Sequence, residues 1–334
     1  MISSDLLSRT ITLASGELIP YTGLVIATGL RPRRLSAPGP TSGRYVVRTI
    51  DDAMRLRERL TAGTKVAVIG CGFIGWEVAA TALALGCEVE LVEGSNGPMH
   101  HALGSTVSAA MREWLVSRGV RMHTGRVVDE FLSQHGNDDG DENDGVERIA
   151  GVRLNDGVEI EAEVVIEAIG SHPNTEWLQG NGLDIADGVL VDDRLRVIGA
   201  EAAVAAGDIA RFANPWTGGE LQRVEHWQSA VDTAKTAAHA LTAELAGAEP
   251  PQPYAAIPSF WSDVFGVRVQ GLGAPHYGTQ STVLEGSLDA VEDGVCVTYD
   301  RDGVLVGVVT VGLPPARMLP FREQLSSEQL GSLL

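Results

Sequence analysis

Gly70-Cys71-Gly72-Phe73-Ile74-Gly75 is the stretch that decides the fold of this chain. It follows the apolar run 65–69 and precedes the largely apolar stretch 76–85, and a second predicted strand, 88–92, ends at Glu93. A strand, a glycine turn and a helix suit a dinucleotide pyrophosphate, because glycines let the backbone approach the phosphates and the helix N-terminus supplies N–H groups. The acid after the second strand is placed to accept from the hydroxyls of an adenosine ribose. The stretch therefore predicts a Rossmann-type dinucleotide-binding unit.

Length and composition indicate a multidomain globular protein. The chain has 334 residues, of which 44% are hydrophobic, which is enough for two or three cores. It has no run of about 20 apolar residues and no basic start followed by an apolar core, so we expect a cytoplasmic protein. The three cysteines form no C-x-x-C pair, so neither a zinc site nor a redox-active disulfide is expected. Electron chemistry would therefore require a bound cofactor.

The charge restricts the partners. The formal net charge of −19 argues against nucleic acid and anionic membranes, since both would be repelled. Six acids crowd residues 138–147, which we interpret as a solvated, disordered loop. The alternative, a calcium site, lacks the glycine and closing glutamate of an EF-hand loop. No metal site is predicted.

Two similar segments frame the dinucleotide unit. Leu24–Ala27 is an apolar strand closed by Thr28-Gly29, and 164–169 is an apolar strand closed by Gly170. Each is followed by a turn containing proline, which indicates that the chain leaves one unit, builds a second and returns to the first.

The predicted fold class is α/β, with two Rossmann-like, glutathione-reductase-type dinucleotide-binding domains, of which the first is incomplete, and a small C-terminal α/β interface domain. The predicted domains are a discontinuous, partial FAD-binding domain (1–40 and 163–248), an NAD-binding domain (41–162) and the C-terminal domain (249–334). Apolar periodicity predicts helices over 51–62, 105–119 and 224–246.

The chain resembles the FAD-dependent ferredoxin reductases that serve bacterial Rieske dioxygenases and cytochrome P450 systems, within the pyridine nucleotide-disulfide oxidoreductase class. Besides the glycine turn, the resemblance is carried by the following segments: Tyr21–Gly29, Ala206-Gly207-Asp208, Glu225-His226-Trp227 and Pro258–Asp263. The last two are the most specific. The family's own N-terminal βαβ unit, with its G-x-G-x-x-G for FAD, is lacking here, so we expect this chain to hold FAD weakly or not at all.

The resemblance implies FAD and NAD(H) as cofactors and a set of residues for each. For NAD these are Gly70, Gly72, Ile74, Gly75, Glu93 and Gly170. For FAD they are Ala27, Thr28, Gly29, Arg33, Gly207, Asp208, Glu225, His226, Trp227 and Trp261. Phe73 and Glu77 would lie near the nicotinamide and the flavin, and no residue is assigned a certain catalytic role.

Several of these residues have an ordinary structural alternative. Asp208 could cap a helix, and Phe73 and the two tryptophans could be core residues. Arg33 could belong to a solvated basic turn with Arg31 and Arg34. An unpaired Glu77 carboxylate would be unfavourable in a dry site, so for Glu77 a functional partner is favoured.

Two more expectations concern individual residues. The adjacent His100 and His101 cannot share one face of a regular element, so we expect surface imidazoles rather than a metal pair. Glu93 is followed by Gly94, Ser95 and Asn96, with no arginine for a 2′-phosphate, which predicts a preference for NAD over NADP.

The expected activity is NADH:ferredoxin reduction, with hydride passing from NADH to flavin and single electrons passing on to ferredoxin or a similar small iron–sulfur protein. Two alternatives stay open. One is a non-enzymatic NAD-binding remnant that retains no flavin, and the other is a reductase of a different acceptor, such as a quinone, a rubredoxin or a nitrite reductase component.

Overall fold

The computed structural model describes residues 1–94, 97–134 and 147–332, without the side chains of 134 and 328–332. The acidic cluster predicted to be a loop lies outside these ranges except for Glu147, and so do Ser95 and Asn96. The helices are α1 (Ile50–Arg57), α2 (Phe73–Ala84), α3 (His100–Ser117), α4 (Trp227–Ala246) and α5 (Leu319–Ser332). In the described ranges, no helix is both long enough and apolar enough to cross a lipid bilayer.

The strands are β1 (Ser3–Asp5), β2 (Thr10–Thr12), β3 (Leu18–Pro20), β4 (Leu24–Ile26), β5 (Leu30–Pro32), β6 (Arg44–Tyr45), β7 (Lys65–Ile69), β8 (Glu88–Glu93), β9 (Arg121–Thr124), β10 (Val128–Gln134), β11 (Arg148–Leu154), β12 (Glu159–Glu161), β13 (Val164–Glu167), β14 (Ser171–Pro173), β15 (Val189–Leu190), β16 (Ala203–Ala205), β17 (Ala210–Ala213), β18 (Leu221–Arg223), β19 (Ser259–Val264), β20 (Val267–Gly273), β21 (Gln280–Glu285), β22 (Val295–Arg301) and β23 (Val304–Val311).

A five-stranded parallel sheet carries the glycine turn, in the order β6-β13-β7-β8-β9. Successive residues of β7 point to opposite faces, and both faces are buried, as is usual in parallel sheets. Val66 and Val68 pack under α2 and α3, whereas Ala67 and Ile69 pack under the antiparallel sheet β10-β11-β12. The predicted Rossmann-like unit is therefore present.

The position of β13 corrects one expected boundary. The prediction assigned residues from 163 onward to the first unit, but β13 pairs in parallel with β7, from Val164↔Val66 to Glu167↔Ile69. The chain therefore returns only after β13. An apolar run does not encode which sheet it joins, because parallel partners are distant in sequence.

The returning chain pairs with the departing one. β14 runs antiparallel to β5, with Ser171 opposite Pro32 and Pro173 opposite Leu30. Beyond this ribbon, β4 pairs in parallel with β16, and α4 packs beside them through Ala237, Ala240 and Leu241. The first unit is thus built from chain segments on both sides of the dinucleotide-binding unit.

A buried carboxylate fixes the crossover. The side chain of Glu167, at the end of β13, is fully buried. Its two oxygens accept from Arg34 Nη1 (3.0 Å), Leu35 N (2.7 Å), Arg44 Nε (3.0 Å) and Arg44 Nη2 (2.9 Å). The Arg44 guanidinium also lies over the Phe131 ring, 3.7 Å from its centroid. The segment between β5 and β6 is therefore held to the central sheet.

The C-terminal unit is an antiparallel sheet, β19-β20-β23-β22-β21, followed by α5. It shares one core with α2 and α3, to which it contributes Phe260, Val264 and Tyr299. The unit therefore packs directly on the dinucleotide-binding unit.

All three predicted helices differ from their expected extent, and α4 begins at Trp227 instead of 224. α1 ends at Arg57, five residues before the expected end, and Leu60 reaches the core from the following turn. α3 begins at His100 but is broken at Gly104, whose φ and ψ are 71° and 167°. The Tyr299 hydroxyl lies in this break, where it donates to Leu103 O (2.6 Å) and accepts from Val107 N (3.2 Å). A Cβ on Gly104 would lie 2.4 Å from the Tyr299 ring, so the break and the tyrosine require each other.

Replacing Tyr299 by Phe tests this contact. The variant keeps the ring but leaves two buried backbone groups without a partner, so the free energy of unfolding should fall by about 1–3 kcal/mol. Urea denaturation measures the change. Tyr277→Phe is the matched control, because its hydroxyl bonds Glu220 at the surface, and it should cost less than about 1 kcal/mol. Equal losses in both variants would contradict a special role for Tyr299.

Candidate functional site

A cavity of about 510 Å³ lies where the three units meet. Its walls come from β5, the segment before α1, the first turns of α2, the segment after β13, the start of α4 and β19. Ten of the predicted site residues line it: Gly72, Phe73, Ile74, Glu77, Gly170, Asp208, Glu225, His226, Trp227 and Trp261. The structure thus brings together residues predicted separately for NAD and for FAD.

The other predicted site residues do not line this cavity: Gly70, Gly75, Glu93, Ala27, Thr28, Gly29, Arg33 and Gly207. Some have structural roles. Thr28 Oγ1 donates to Asn174 O (2.9 Å), and Arg33 Nε donates to Ser171 O (2.7 Å) across the β5–β14 ribbon. Arg31, rather than Arg33, reaches the cavity wall. Contacts to FAD by these residues stay predictions.

The three glycines of the turn have different surroundings. A Cβ on Gly70 would lie 2.3 Å from Ala168 O, and one on Gly75 would lie 1.9 Å from Gly70 O, so both positions need glycine for packing. Gly72 has no atom within 4 Å of its Cβ position, and it is the N-cap of α2 with no side-chain cap. The helix N-terminus is therefore open to an anion, as a pyrophosphate requires.

Glu93 lies beside this turn. Its Oε2 accepts from Cys71 N at 2.6 Å. The carboxylate is therefore held at the end of β8, beside the glycine turn. Its contact with a ribose stays a prediction.

Asp208 lies on the other side of the cavity, in the 3-10 turn Gly207–Ile209 that follows β16. Gly207 N donates to Thr233 Oγ1 (2.9 Å), which ties this turn to α4. Burial raises the pKa of the Asp208 carboxyl, and the nearby Glu225 raises it further. Arg48 Nη2 lies 3.8 Å from Asp208 Oδ2 and also lines the cavity. The sequence analysis missed Arg48, because a single arginine before a helix carries no pattern.

An aromatic wall borders the cavity. The rings of His226, Phe73 and Phe260 form a triangle: the His226 centroid lies 5.9 Å from Phe73 and 5.6 Å from Phe260, and the two phenylalanine centroids are 5.2 Å apart. Burial lowers the pKa of His226 to about 4, and its buried Nδ1 has no hydrogen-bond partner in the described residues. Trp227 and Trp261 are 77% and 45% exposed. An unpartnered buried nitrogen and two exposed indoles beside one cavity fit a flat heteroaromatic ring such as a flavin.

A smaller cavity, of about 280 Å³, shares this wall. It is lined on its far side by His101 and His276, whose ring centroids are 5.2 Å apart. His101 is exposed, as expected for a surface imidazole. Within 1–94, 97–134 and 147–332, no group of three or more His, Cys, Asp or Glu is arranged to hold a metal ion.

Glu77 is held by the C-terminal unit. Trp76 Nε1 donates to Ser262 Oγ (2.7 Å), and the Ser262 hydroxyl donates to Glu77 Oε1. Ser262 is 1% exposed. The sequence analysis did not single out Ser262, because nothing in the local pattern indicates a partner 185 residues away.

The comparisons with known proteins cover almost the whole chain. A family model described as pyridine nucleotide-disulphide oxidoreductase matches residues 2–234, and one described as reductase C-terminal matches residues 259–329. The chain is 35% identical to the ferredoxin–NAD(+) reductase component of the p-cumate 2,3-dioxygenase system of Pseudomonas putida, over 94% of this chain and 71% of that protein. It is 34% identical to rhodocoxin reductase of Rhodococcus erythropolis, over 93% of this chain and 68% of that protein.

Solved structures agree in fold. The ferredoxin reductase for the CYP199A2 system of Rhodopseudomonas palustris superposes with a TM-score of 0.81 at 34% identity, covering 93% of this chain and 72% of that one. The covalent putidaredoxin reductase–putidaredoxin complex gives a TM-score of 0.84 at 26% identity, and the match covers 97% of this chain and 74% of the other.

The buried His226 predicts a pH dependence of stability. Its pKa of about 4 lies below the value of about 6.5 in an unfolded chain, so between these values the unfolded state binds a proton that the folded state does not. Stability contributed by the neutral ring is complete above about pH 6.5 and is lost as the pH falls toward 4. His226→Phe should therefore flatten the fall in urea midpoint between about pH 7 and pH 5. The exposed His172→Gln is the control, and identical pH profiles for wild type and His226→Phe would contradict the assignment.

Proposed function

Because the chain belongs to the pyridine nucleotide-disulphide oxidoreductase family, we propose that it is an FAD-dependent NADH oxidoreductase that delivers electrons to a small iron–sulfur ferredoxin. The relatives confirm the resemblance to ferredoxin reductases of oxygenase systems and the α/β fold class. One observation carries the proposal. The open N-terminus of α2 and the exposed tryptophans border the same cavity, so a nicotinamide and a flavin would meet there.

The roles of the residues follow from their positions. The α2 N-terminus would bind the NADH pyrophosphate, and Phe73 and Glu77 would border its nicotinamide. Asp208 would accept hydrogen bonds from hydroxyls of the FAD ribityl chain, and Trp227 and Trp261 would border the flavin ring. FAD, when bound, supplies hydride uptake and one-electron release, whereas the protein supplies binding, orientation and electrostatics. A cytoplasmic location is part of the proposal.

The acceptor is proposed to be an iron–sulfur protein rather than a disulfide. The chain has three cysteines, all of them unpaired and buried. Burial raises the pKa of each thiol, which makes a reactive thiolate unfavourable. A relative named rubredoxin–NAD(+) reductase, 31% identical to this chain, makes rubredoxin the second acceptor to test.

The test is an anaerobic titration with NADH. FAD is added in solution, so that even the weak binding expected from the sequence is sufficient. We expect NADH to bleach the protein-bound flavin, and added ferredoxin to restore the oxidised spectrum. Protein that binds NAD but bleaches no flavin would instead support the alternative of an NAD-binding protein without flavin. Reduction of rubredoxin or a quinone, but not of ferredoxin, would contradict the proposed acceptor.

Glu93→Gln tests the nucleotide preference. The Glu93 carboxylate would repel a 2′-phosphate, so the wild type should bind NAD more tightly than NADP, and the variant should narrow the ratio of the two dissociation constants. Gln keeps an oxygen that can accept from Cys71 N, so the turn should be preserved. Glu88→Gln, at the other end of β8, is the matched control and should leave the ratio unchanged. Equal or tighter NADP binding by the wild type would show that Glu93 does not select the nucleotide.

A further inference from the structure

Ser262 connects the C-terminal sheet to the cavity wall. It lies on β19, on the face that carries Phe260 and Val264 into the core shared with α2. Its hydroxyl contacts two consecutive residues of α2, the fully buried Trp76 and the partly buried Glu77. Glu77 lines the cavity, but Ser262 does not.

The direction of these two hydrogen bonds follows from the chemistry of the donors. An indole N–H can only donate, so Ser262 Oγ must accept from Trp76 Nε1. The hydroxyl has a single proton, which is then directed to Glu77 Oε1. Trp76 therefore orients Ser262, and Ser262 in turn fixes the Glu77 carboxylate.

Glu77 lines the cavity, and its carboxylate has one oxygen that Ser262 does not use. Glu77 Oε2 has no hydrogen-bond partner within the described part of the chain, and an ionised carboxylate oxygen only accepts. It therefore suits a ligand group that donates N–H and disfavours one that only accepts. Of the groups on a nicotinamide ring, the carboxamide NH₂ is the donor.

We propose that Ser262 is a positioning residue that holds Glu77 so that the cavity distinguishes a carboxamide from a purely accepting substituent on the pyridine ring. Selectivity at the nicotinamide end is thus set from the C-terminal sheet. This inference rests on the proposed function, since it requires a nicotinamide in this cavity.

The experiment compares the binding of three probes at equilibrium: NAD⁺, its 3-acetylpyridine analogue and ADP-ribose. The analogue replaces the donating NH₂ by a methyl group, and ADP-ribose lacks the pyridine ring altogether. The wild type should bind NAD⁺ about tenfold more tightly than the analogue, as expected for one hydrogen bond to a charged group. ADP-ribose binding reports whether each variant is folded and still has the glycine turn.

Four variants separate positioning from general damage. In Ser262→Ala, the dissociation constants for NAD⁺ and for the analogue should differ by less than about threefold, and the affinity for ADP-ribose should be unchanged. Ser262→Thr keeps the hydroxyl and should restore the ratio. Glu77→Gln can still accept from Ser262 but can turn an NH₂ toward the cavity, so it should shift preference toward the analogue. Ser259→Ala, on the opposite face of β19, is the matched control and should behave like the wild type.

The outcomes distinguish this inference from the proposed function. If the wild type binds NAD⁺ selectively and Ser262→Ala keeps the full ratio, the positioning role is wrong while the proposed function stands. If the wild type binds no NAD⁺, both are overturned. If the wild type binds NAD⁺ and the 3-acetylpyridine analogue with equal affinity, Glu77 does not distinguish the carboxamide from the acetyl group. This result too overturns the inference.

Discussion

The burial of one charge, the Glu167 carboxylate, determines how the units are joined. An ionised group away from water costs several kcal/mol unless its oxygens are fully hydrogen-bonded. Glu167 meets this requirement with donors from Arg34 and Leu35, in the crossover between β5 and β6, and from Arg44, the first residue of β6. The central sheet and the crossover are therefore ordered together. The cavity depends on this order, because Glu167 itself forms part of its wall.

The cavity is a product of three units rather than of one. The dinucleotide-binding unit contributes the glycine turn, the first unit contributes Asp208 and the residues before α4, and the C-terminal sheet contributes Phe260 and Trp261. Ligands commonly collect beyond the carboxyl ends of parallel strands, and the end of β13 opens here. The C-terminal sheet is thus part of the cavity wall. Through the contact of Ser262 with Glu77, it also holds a side chain that another unit contributes to that wall.

The features predictable from the sequence were those encoded locally. The glycine turn, its flanking strands and the acid at Glu93 lie within thirty residues, and each has a composition dictated by backbone geometry. The segments 225–227 and 258–263 were found by resemblance, and the structure places Trp227 and Trp261 on one cavity. Phe73 and Glu77 line the same cavity, and their contacts with a nicotinamide or a flavin remain predictions.

The missed features depend on distant partners. The break in α3 requires Tyr299, which lies almost two hundred residues further along the chain. Arg48 is significant only because Asp208 lies nearby, and β13 joins its sheet only because β7 is its neighbour. Apolar periodicity identifies elements but does not pair them, so such relations need the folded chain.

The ribbon formed by β5 and β14 has a mechanical consequence. Both covalent connections between the first unit and the dinucleotide-binding unit run side by side through it, joined by the pairing of Arg31 with His172. A single connecting strand could swivel freely about its own bonds. Two hydrogen-bonded strands form a flat ribbon, which bends about one axis but resists twisting. Any relative movement of the two units is therefore restricted to rotation about one axis. The facing walls of the cavity can move apart or together along this path without twisting relative to each other.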